Sequence, residues 1–139
     1  MQAAENLTTD NMRILLVEDS ALIRDAIVDT LSGNPAIRFD GFAATQEDAI
    51  SLLKERPFDL LLVDIELAKG NGFEVLKAMK NDDYAYPRPV SIMLTNNAYT
   101  HYRQQAQQLG VDYFFDKSMD FDLAIETIEI EAAKYSQNC

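Results

Sequence analysis

Asp64 stands at the end of an unbroken apolar run, residues 60–63, and three other apolar runs end in polar groups of their own. Glu18 and Asp19 follow residues 12–17, Thr95 follows residues 90–94, and Lys117 comes just after residues 111–115. A buried strand gains nothing from an acid at its last position, so Asp64 is either a helix cap or a reactive group presented at a rim. If the four tips meet, the chemistry narrows. Three carboxylates repel one another unless a cation joins them. Clustered carboxylates with backbone carbonyls are hard oxygen ligands suited to Mg²⁺, or to Mn²⁺ in its place. Lys117 would add a positive charge and Thr95 a neutral donor. Such a set suits a phosphoryl group, whose oxygens can be held by metal, ammonium, hydroxyl and backbone N–H. Asp64 can itself be the nucleophile, since carboxylates form aspartyl-phosphates. A phosphoryl group brings about −1.5 to −2 charge units, enough to re-bond Thr95 and Lys117 and to move the loops that carry them.

The tips meet only if the runs are parallel strands of one sheet. The run at 60–63 is apolar throughout, as a strand covered on both faces must be. Residues 12–17 form a second apolar strand, residues 90–94 and 111–115 a fourth and a fifth, and residues 37–43 alternate apolar with polar, which suits an edge strand. Helical patterns fill the intervals. Leu22, Ile23, Ala26, Ile27 and Leu31 share one face of the first, and Pro35 closes the turn that follows. Thr45 is placed as the N-cap of the second, with Ala49, Ile50, Leu52 and Leu53 as its buried face. A loop at 66–72 carries Gly70 and Gly72 and leads to a short helix, 73–79, with Phe73, Val75, Leu76 and Met79 apolar. A fourth helix is expected over 97–109, anchored by Tyr99, Tyr102, Ala106 and Leu109 and stopped at Gly110. Ser118 or Asp120 would cap the last, 121–135. Five strands alternating with five helices imply an α/β fold with a doubly wound parallel sheet, right-handed crossovers and helices on both faces. The expected organisation is a flexible lead at 1–11, one domain at 12–135 and a frayed tail at 136–139.

The chain has 139 residues, and 23 acids against 12 bases give a formal net charge of −11. That balance argues against direct contact with nucleic acid or an anionic membrane, and leaves basic proteins and divalent cations as partners. Cys139, the single cysteine, supports no disulfide framework, so a reducing, cytoplasmic setting fits. No apolar run approaches membrane-spanning length, and the first ten residues lack the pattern of a signal peptide.

With the motifs Ile-Leu-Leu-Val-Glu18-Asp19, Leu-Leu-Val-Asp64 with Gly72 eight residues on, Met-Leu-Thr95 and Asp-Tyr-Phe-Phe-Asp-Lys117 in this order, the chain resembles the receiver domains of two-component response regulators. Those domains have the flavodoxin-like (βα)5 fold of the bacterial chemotaxis regulator, and the resemblance covers residues 12 to 135. It implies Asp64 as phosphoacceptor, Asp19 as a direct Mg²⁺ ligand, Glu18 acting through water, and Glu66 offering its backbone carbonyl to the metal. It implies that Thr95 and Lys117 grip the phosphoryl oxygens, and that Phe114 is the aromatic switch that turns inward when Thr95 moves. The phosphodonor would be a phosphohistidine on a sensor histidine kinase or a histidine phosphotransfer protein. The domain would catalyse its own phosphorylation and slow hydrolysis, and would act as a stand-alone switch on an unknown downstream protein. It would be a monomer or a phosphorylation-dependent dimer. Four positions depart from the family's pattern, one of them Phe114, which lacks the hydroxyl a tyrosine would offer a partner. Ser118 replaces a proline and implies a looser loop, Ala68 replaces another proline, and Asn96 replaces a small residue beside the site.

Each residue has a plainer reading. Glu18 and Asp19 can cap a helix, Thr95 can be an ordinary strand residue, Lys117 a solvated lysine and Phe114 a core residue. His101 reads as an exposed residue of the fourth helix. Tyr99, Tyr102 and Tyr113 read either as anchors or as part of a partner surface. A phosphatase with Asp64 as nucleophile would place Glu66 where an Asp-x-Asp pair has its second aspartate, and a module that ignores phosphate would have no use for the acids, hydroxyl and lysine together.

Overall fold

The apolar runs form the strands, and their period-two alternation sorts them between two cores. The structure, a computed structural model, describes residues 11–96 and 99–137. Strands β1 (Met12–Val17), β2 (Ile37–Ala43), β3 (Leu60–Val63), β4 (Val90–Thr95) and β5 (Tyr113–Asp116) form one parallel sheet in the order β2-β1-β3-β4-β5. Helices α1 (Ala21–Leu31), α2 (Gln46–Glu55), α3 (Gly72–Lys80), α4 (Thr100–Gln108) and α5 (Phe121–Gln137) follow the strands in turn. Leu15, Val17, Leu61, Val63 and Met93 pack with α2, α3 and α4 on one face. Ile14, Leu16, Leu60, Leu62, Ile92 and Leu94 pack with α1 and α5 on the other. This is the flavodoxin-like doubly wound sheet, with β2 on the edge as its alternation predicts.

Strand order reverses at β1, which lies between β2 and β3. A crevice therefore opens beyond the carboxyl ends of β1 and β3, the usual ligand position in such sheets. Register then does the positioning. Val17 pairs with Val63, and the Asp64 N–H donates to the Val17 carbonyl at 3.0 Å. The residues that follow the two valines, Glu18 and Asp64, so emerge beside each other. On the other side Thr95 pairs with Asp116, and the Lys117 N–H donates to the Thr95 carbonyl at 2.9 Å.

Several local expectations shift. Leu22, expected on the buried face of α1, is 80% exposed, and Ala26 is exposed too. In α1 only Ile27 and Leu31 are fully buried, with Ile23 and Val28 packed beside them. Helix α4 begins at Thr100; the expected start at Asn97 lies outside the described residues, as does Ala98. Tyr99 precedes the helix and is exposed, its ring meeting Tyr102 and His101 at the surface rather than the core, whereas Tyr102 packs on Phe73 with ring centroids 5.8 Å apart. After α4, Gly110 takes φ +75° and its N–H and that of Val111 bond back to the Gln107 and Ala106 carbonyls at 3.0 and 3.1 Å. This Schellman turn occupies both donors, so β5 starts at Tyr113 rather than Val111. Helix α5 runs to Gln137, beyond the expected end at 135, and residues 138–139 lie outside the described range. Residues 1–10 also lie outside it, while the Asn11 amide donates to the Pro35 carbonyl at 2.7 Å. Among the described residues no helix is long and apolar enough to cross a membrane.

Candidate functional site

Lys117 reaches from the end of β5 into the crevice and joins two acids. Its Nζ lies 2.7 Å from Glu18 Oε1 and 2.8 Å from Asp64 Oδ2, and the three side chains are 7%, 3% and 8% exposed. The plain reading of Lys117 as a solvated lysine is thereby excluded. Two carboxylates against one ammonium leave a buried net charge of −1. Asp19, exposed at the mouth, adds another carboxylate, and oxygen atoms of Glu18, Asp19 and Asp64 lie within 4.8 Å of one another.

Glu18 is held by more than the lysine. Its Oε2 accepts the Ser20 N–H at 3.1 Å, while the Ser20 hydroxyl accepts from the Ile23 N–H at 3.2 Å and caps α1. So the cap of α1 is Ser20, and the acids before it are free for the crevice. Burial raises the Glu18 pKa, and the hydrogen bond from Lys117 only partly opposes it. Burial also works against the Lys117 charge, but the bonds to Asp64 and Glu18 outweigh it and hold the ammonium above its ordinary pKa. Lys117 is therefore a fixed cation.

Asp64 is the incomplete member. Its Oδ2 is held by Lys117, but its Oδ1 is buried and meets no hydrogen-bond partner among the described residues. A buried, unpartnered carboxylate oxygen is costly unless a cation or donor completes it. The donor set is oxygen only, and the protein charge is in excess on the negative side. These residues fit a hard divalent cation such as Mg²⁺, which Glu18, Asp19 and Asp64 would hold.

Thr95 is fully buried at the end of β4, and its carbonyl receives the Lys117 N–H. Glu66 lies two residues past Asp64 with its side chain exposed, and its backbone forms an antiparallel bridge with Asn71. Gly72 is required here: a Cβ on it would lie 2.2 Å from the Asp64 carbonyl oxygen. Phe114 is half-buried against the core, with the Arg103 guanidinium 4.8 Å from its ring centroid. His101 is exposed, as expected, and Tyr113 donates to Glu131 Oε2 at 2.8 Å.

Three of the four departures have visible surroundings. The loop after Lys117 is not loose, because the Asp116 carboxylate accepts from the Ser118 N–H at 2.8 Å, the Ser118 hydroxyl at 2.6 Å and the Met119 N–H at 3.3 Å. The Ser118 hydroxyl, then the N–H groups, lower the Asp116 pKa. Sequence reasoning passed over Asp116; the pattern Asp-x-Ser, a common turn closure, was the available signal. Ser118 is thus a turn partner and not the cap of α5. Asp120 sits in the cap position, but its carboxylate accepts from the Asp116 N–H at 3.1 Å. The Ala68 N–H donates to the Ala44 carbonyl at 3.0 Å, a bond a proline could not make. Asn96 is exposed.

Residues 14–129 match the family described as the response regulator receiver domain. A sensory transduction protein LytT of Bacillus anthracis is 31% identical over 122 residues, covering 85% of this chain and 46% of its own length. A protein-glutamate methylesterase/protein-glutamine glutaminase of Clostridium acetobutylicum is 30% identical over 133 residues, covering 93% of this chain and 38% of its own length. The chain thus spans less than half the length of either relative. Among solved structures, a CheY-like response regulator receiver domain protein of Methanospirillum hungatei superposes with TM-score 0.75 at 25% identity, covering 93% of this chain and 99% of that one. The response regulator domain of Thermotoga maritima CheB gives TM-score 0.74 at 24% identity, covering 91% and 97%.

Proposed function

Because the chain belongs to the receiver-domain family of two-component response regulators, we propose that Asp64 accepts a phosphoryl group from a phosphohistidine and that the change in charge switches protein contacts. One observation carries this reading. Asp64 is held through Oδ2 by Lys117 while Oδ1 remains buried without a partner, in the crevice where strand order reverses.

A carboxylate oxygen of Asp64 attacks phosphorus, the P–N bond of the donor breaks with its electron pair going to nitrogen, and the ring, already protonated at its other nitrogen, leaves as neutral imidazole. Glu18, Asp19, Asp64 and the Glu66 backbone carbonyl would hold Mg²⁺, which would supply charge neutralisation for the incoming group. Lys117, whose ammonium is fixed between two acids, then shares its protons with a phosphoryl oxygen, and the Thr95 hydroxyl donates to another. Mn²⁺ fits the same oxygen set. The aspartyl phosphate carries about −1.5 to −2 charge units where the free carboxylate carried one, and its oxygens reach further into the crevice, which draws Lys117 and Thr95 toward them. Phe114, the third residue before Lys117, follows Thr95 inward and breaks with Arg103. The donor is a sensor histidine kinase or a histidine phosphotransfer protein, in the cytoplasm. The downstream target is a protein, and the net charge of −11 favours a basic surface on it.

The test is intact-protein mass spectrometry after incubation with Mg²⁺ and acetyl phosphate, with Asp64→Asn alongside. A single phosphoryl adduct that needs both Mg²⁺ and Asp64 is the expected result. Full labelling of Asp64→Asn would sink the assignment, and Mg²⁺ binding without any adduct from acetyl phosphate or a phosphohistidine donor would favour a phosphate-independent module.

A further inference from the structure

The loop between β3 and α3 carries Glu66 at one end and Gly72 at the other, and it is tied down from outside. The tie is Gln46, the first residue of α2. Its side-chain Oε1 accepts the Asn71 N–H at 3.1 Å, across 25 residues of sequence. Its backbone N–H, one of the donors a helix start leaves without an intrahelical acceptor, donates to the Lys69 carbonyl at 2.9 Å. Next to it the Ala68 N–H bonds the Ala44 carbonyl at 3.0 Å. Gly70 is shaped to the same side chain: its φ is +80°, and a Cβ there would lie 2.3 Å from Gln46 Oε1 and 2.5 Å from Gln46 Cβ.

Helix α2 does not need this side chain for its own start, because Thr45 already caps it through the Asp48 N–H at 3.1 Å. The Gln46 amide is directed at the loop instead. There Asn71 is the junction. Its N–H goes to Gln46, its backbone bridges to Glu66, and its side-chain oxygen accepts the Glu74 N–H at 3.1 Å to cap α3. The Gln46 amide therefore holds Asn71, and Asn71 lies opposite Glu66 in a pairing secured next door by the Gly72 N–H on the Ile65 carbonyl at 2.8 Å.

We propose that Gln46 is a positioning residue for the metal, holding the loop so that the Glu66 carbonyl stays where the ion is bound; this rests on the Mg²⁺ site of the receiver reading. Gln46 touches neither metal nor phosphoryl group. Its loss weakens the ion's hold and leaves Asp64, Thr95 and Lys117 in place, so affinity for Mg²⁺ falls while the chemistry at saturating Mg²⁺ does not.

Full-length wild type, Q46M (similar length, acceptor lost) and Q46E (acceptor kept) are titrated with Mg²⁺, and half-saturation is read from the rise in melting midpoint. Q46M is expected to need about tenfold more Mg²⁺, the low end of what removing an outer partner of a metal site costs. Q46E is expected to bind at least as tightly as wild type. Acetyl phosphate labelling of Q46M at saturating Mg²⁺ is expected to reach the wild-type rate. Equal half-saturation in Q46M and wild type overturns the proposal, and so does a labelling loss in Q46M that no Mg²⁺ concentration restores. If Q46M does not fold, Q46A is read in the same way. A wild type with no Mg²⁺-dependent shift overturns the metal reading itself, which separates that failure from one confined to Gln46.

Discussion

Strand β3 is bracketed by two aspartates, Asp59 before it and Asp64 after it, and the two ends of the sheet use them in opposite ways. Asp59 meets Arg13 at the amino end of β1. Its Oδ2 accepts the Arg13 N–H at 2.8 Å and Nε at 3.0 Å, and its Oδ1 accepts Nη2 at 3.3 Å. The Asp59 N–H returns a bond to the Arg13 carbonyl at 2.8 Å. One acid faces one base, both oxygens are used, and the Arg13 pKa is raised by that hydrogen bond. Asp64 instead faces another acid, Glu18, across a shared lysine, with one oxygen unpartnered. Both pairs of neighbours are set by the same β1–β3 register, Ile14 with Leu60 and Val17 with Val63. A closed, neutral ion pair is structure. An open, negative one is a place for a ligand.

The contrast is broken most severely at Lys117. Lys117→Met leaves two buried carboxylates without their cation, and should cost about 3–5 kcal/mol in Mg²⁺-free urea unfolding. Added Mg²⁺ should recover part of that loss, and phosphoryl labelling should remain absent. In wild type, Mg²⁺ at a hundred times its dissociation constant should add about 2.7 kcal/mol of stability. The same addition should leave the penalty of Asp59→Ala unchanged, since that site has nothing to complete. Asp59→Ala itself should cost about 2 kcal/mol, the scale of charged hydrogen bonds lost at a part-buried site, with labelling at the wild-type rate. A loss of labelling there would show that the two ends are coupled. The smallest effect is at Ser118. Ser118→Ala removes the hydroxyl bond to Asp116 but keeps the backbone one, and should cost about 0.5–1 kcal/mol, with a modest slowing of labelling read by mass spectrometry.

Legibility in the sequence followed the same divide. Each strand and helix was readable because apolar period marks what must be buried, and the edge position of β2 was readable from its alternation. The crevice acids were readable because an acid after a fully apolar run has few other uses. Leu22 is exposed although it fits the apolar pattern, because periodicity marks a broad helix face and not which of its residues meets the core. The looseness expected at Ser118 was wrong because it followed from a missing proline, while Asp116 supplies three hydrogen bonds in its place. Gln46 gave no signal at all, since a glutamine at a helix start is ordinary and its partner lies 25 residues away.

The sequence by itself determined the parallel sheet, the strand ends that carry Glu18, Asp64, Thr95 and Lys117, and the charge imbalance that calls for a cation. These follow from burial and periodicity, which act locally along the chain. Only the tertiary structure decided that Lys117 lies between Glu18 and Asp64, that Asp64 Oδ1 is left over, and that Gln46 clamps the loop beside them. Those facts depend on strand register and on contacts between distant segments, where a difference of one residue or a few ångströms separates a finished ion pair from an open site.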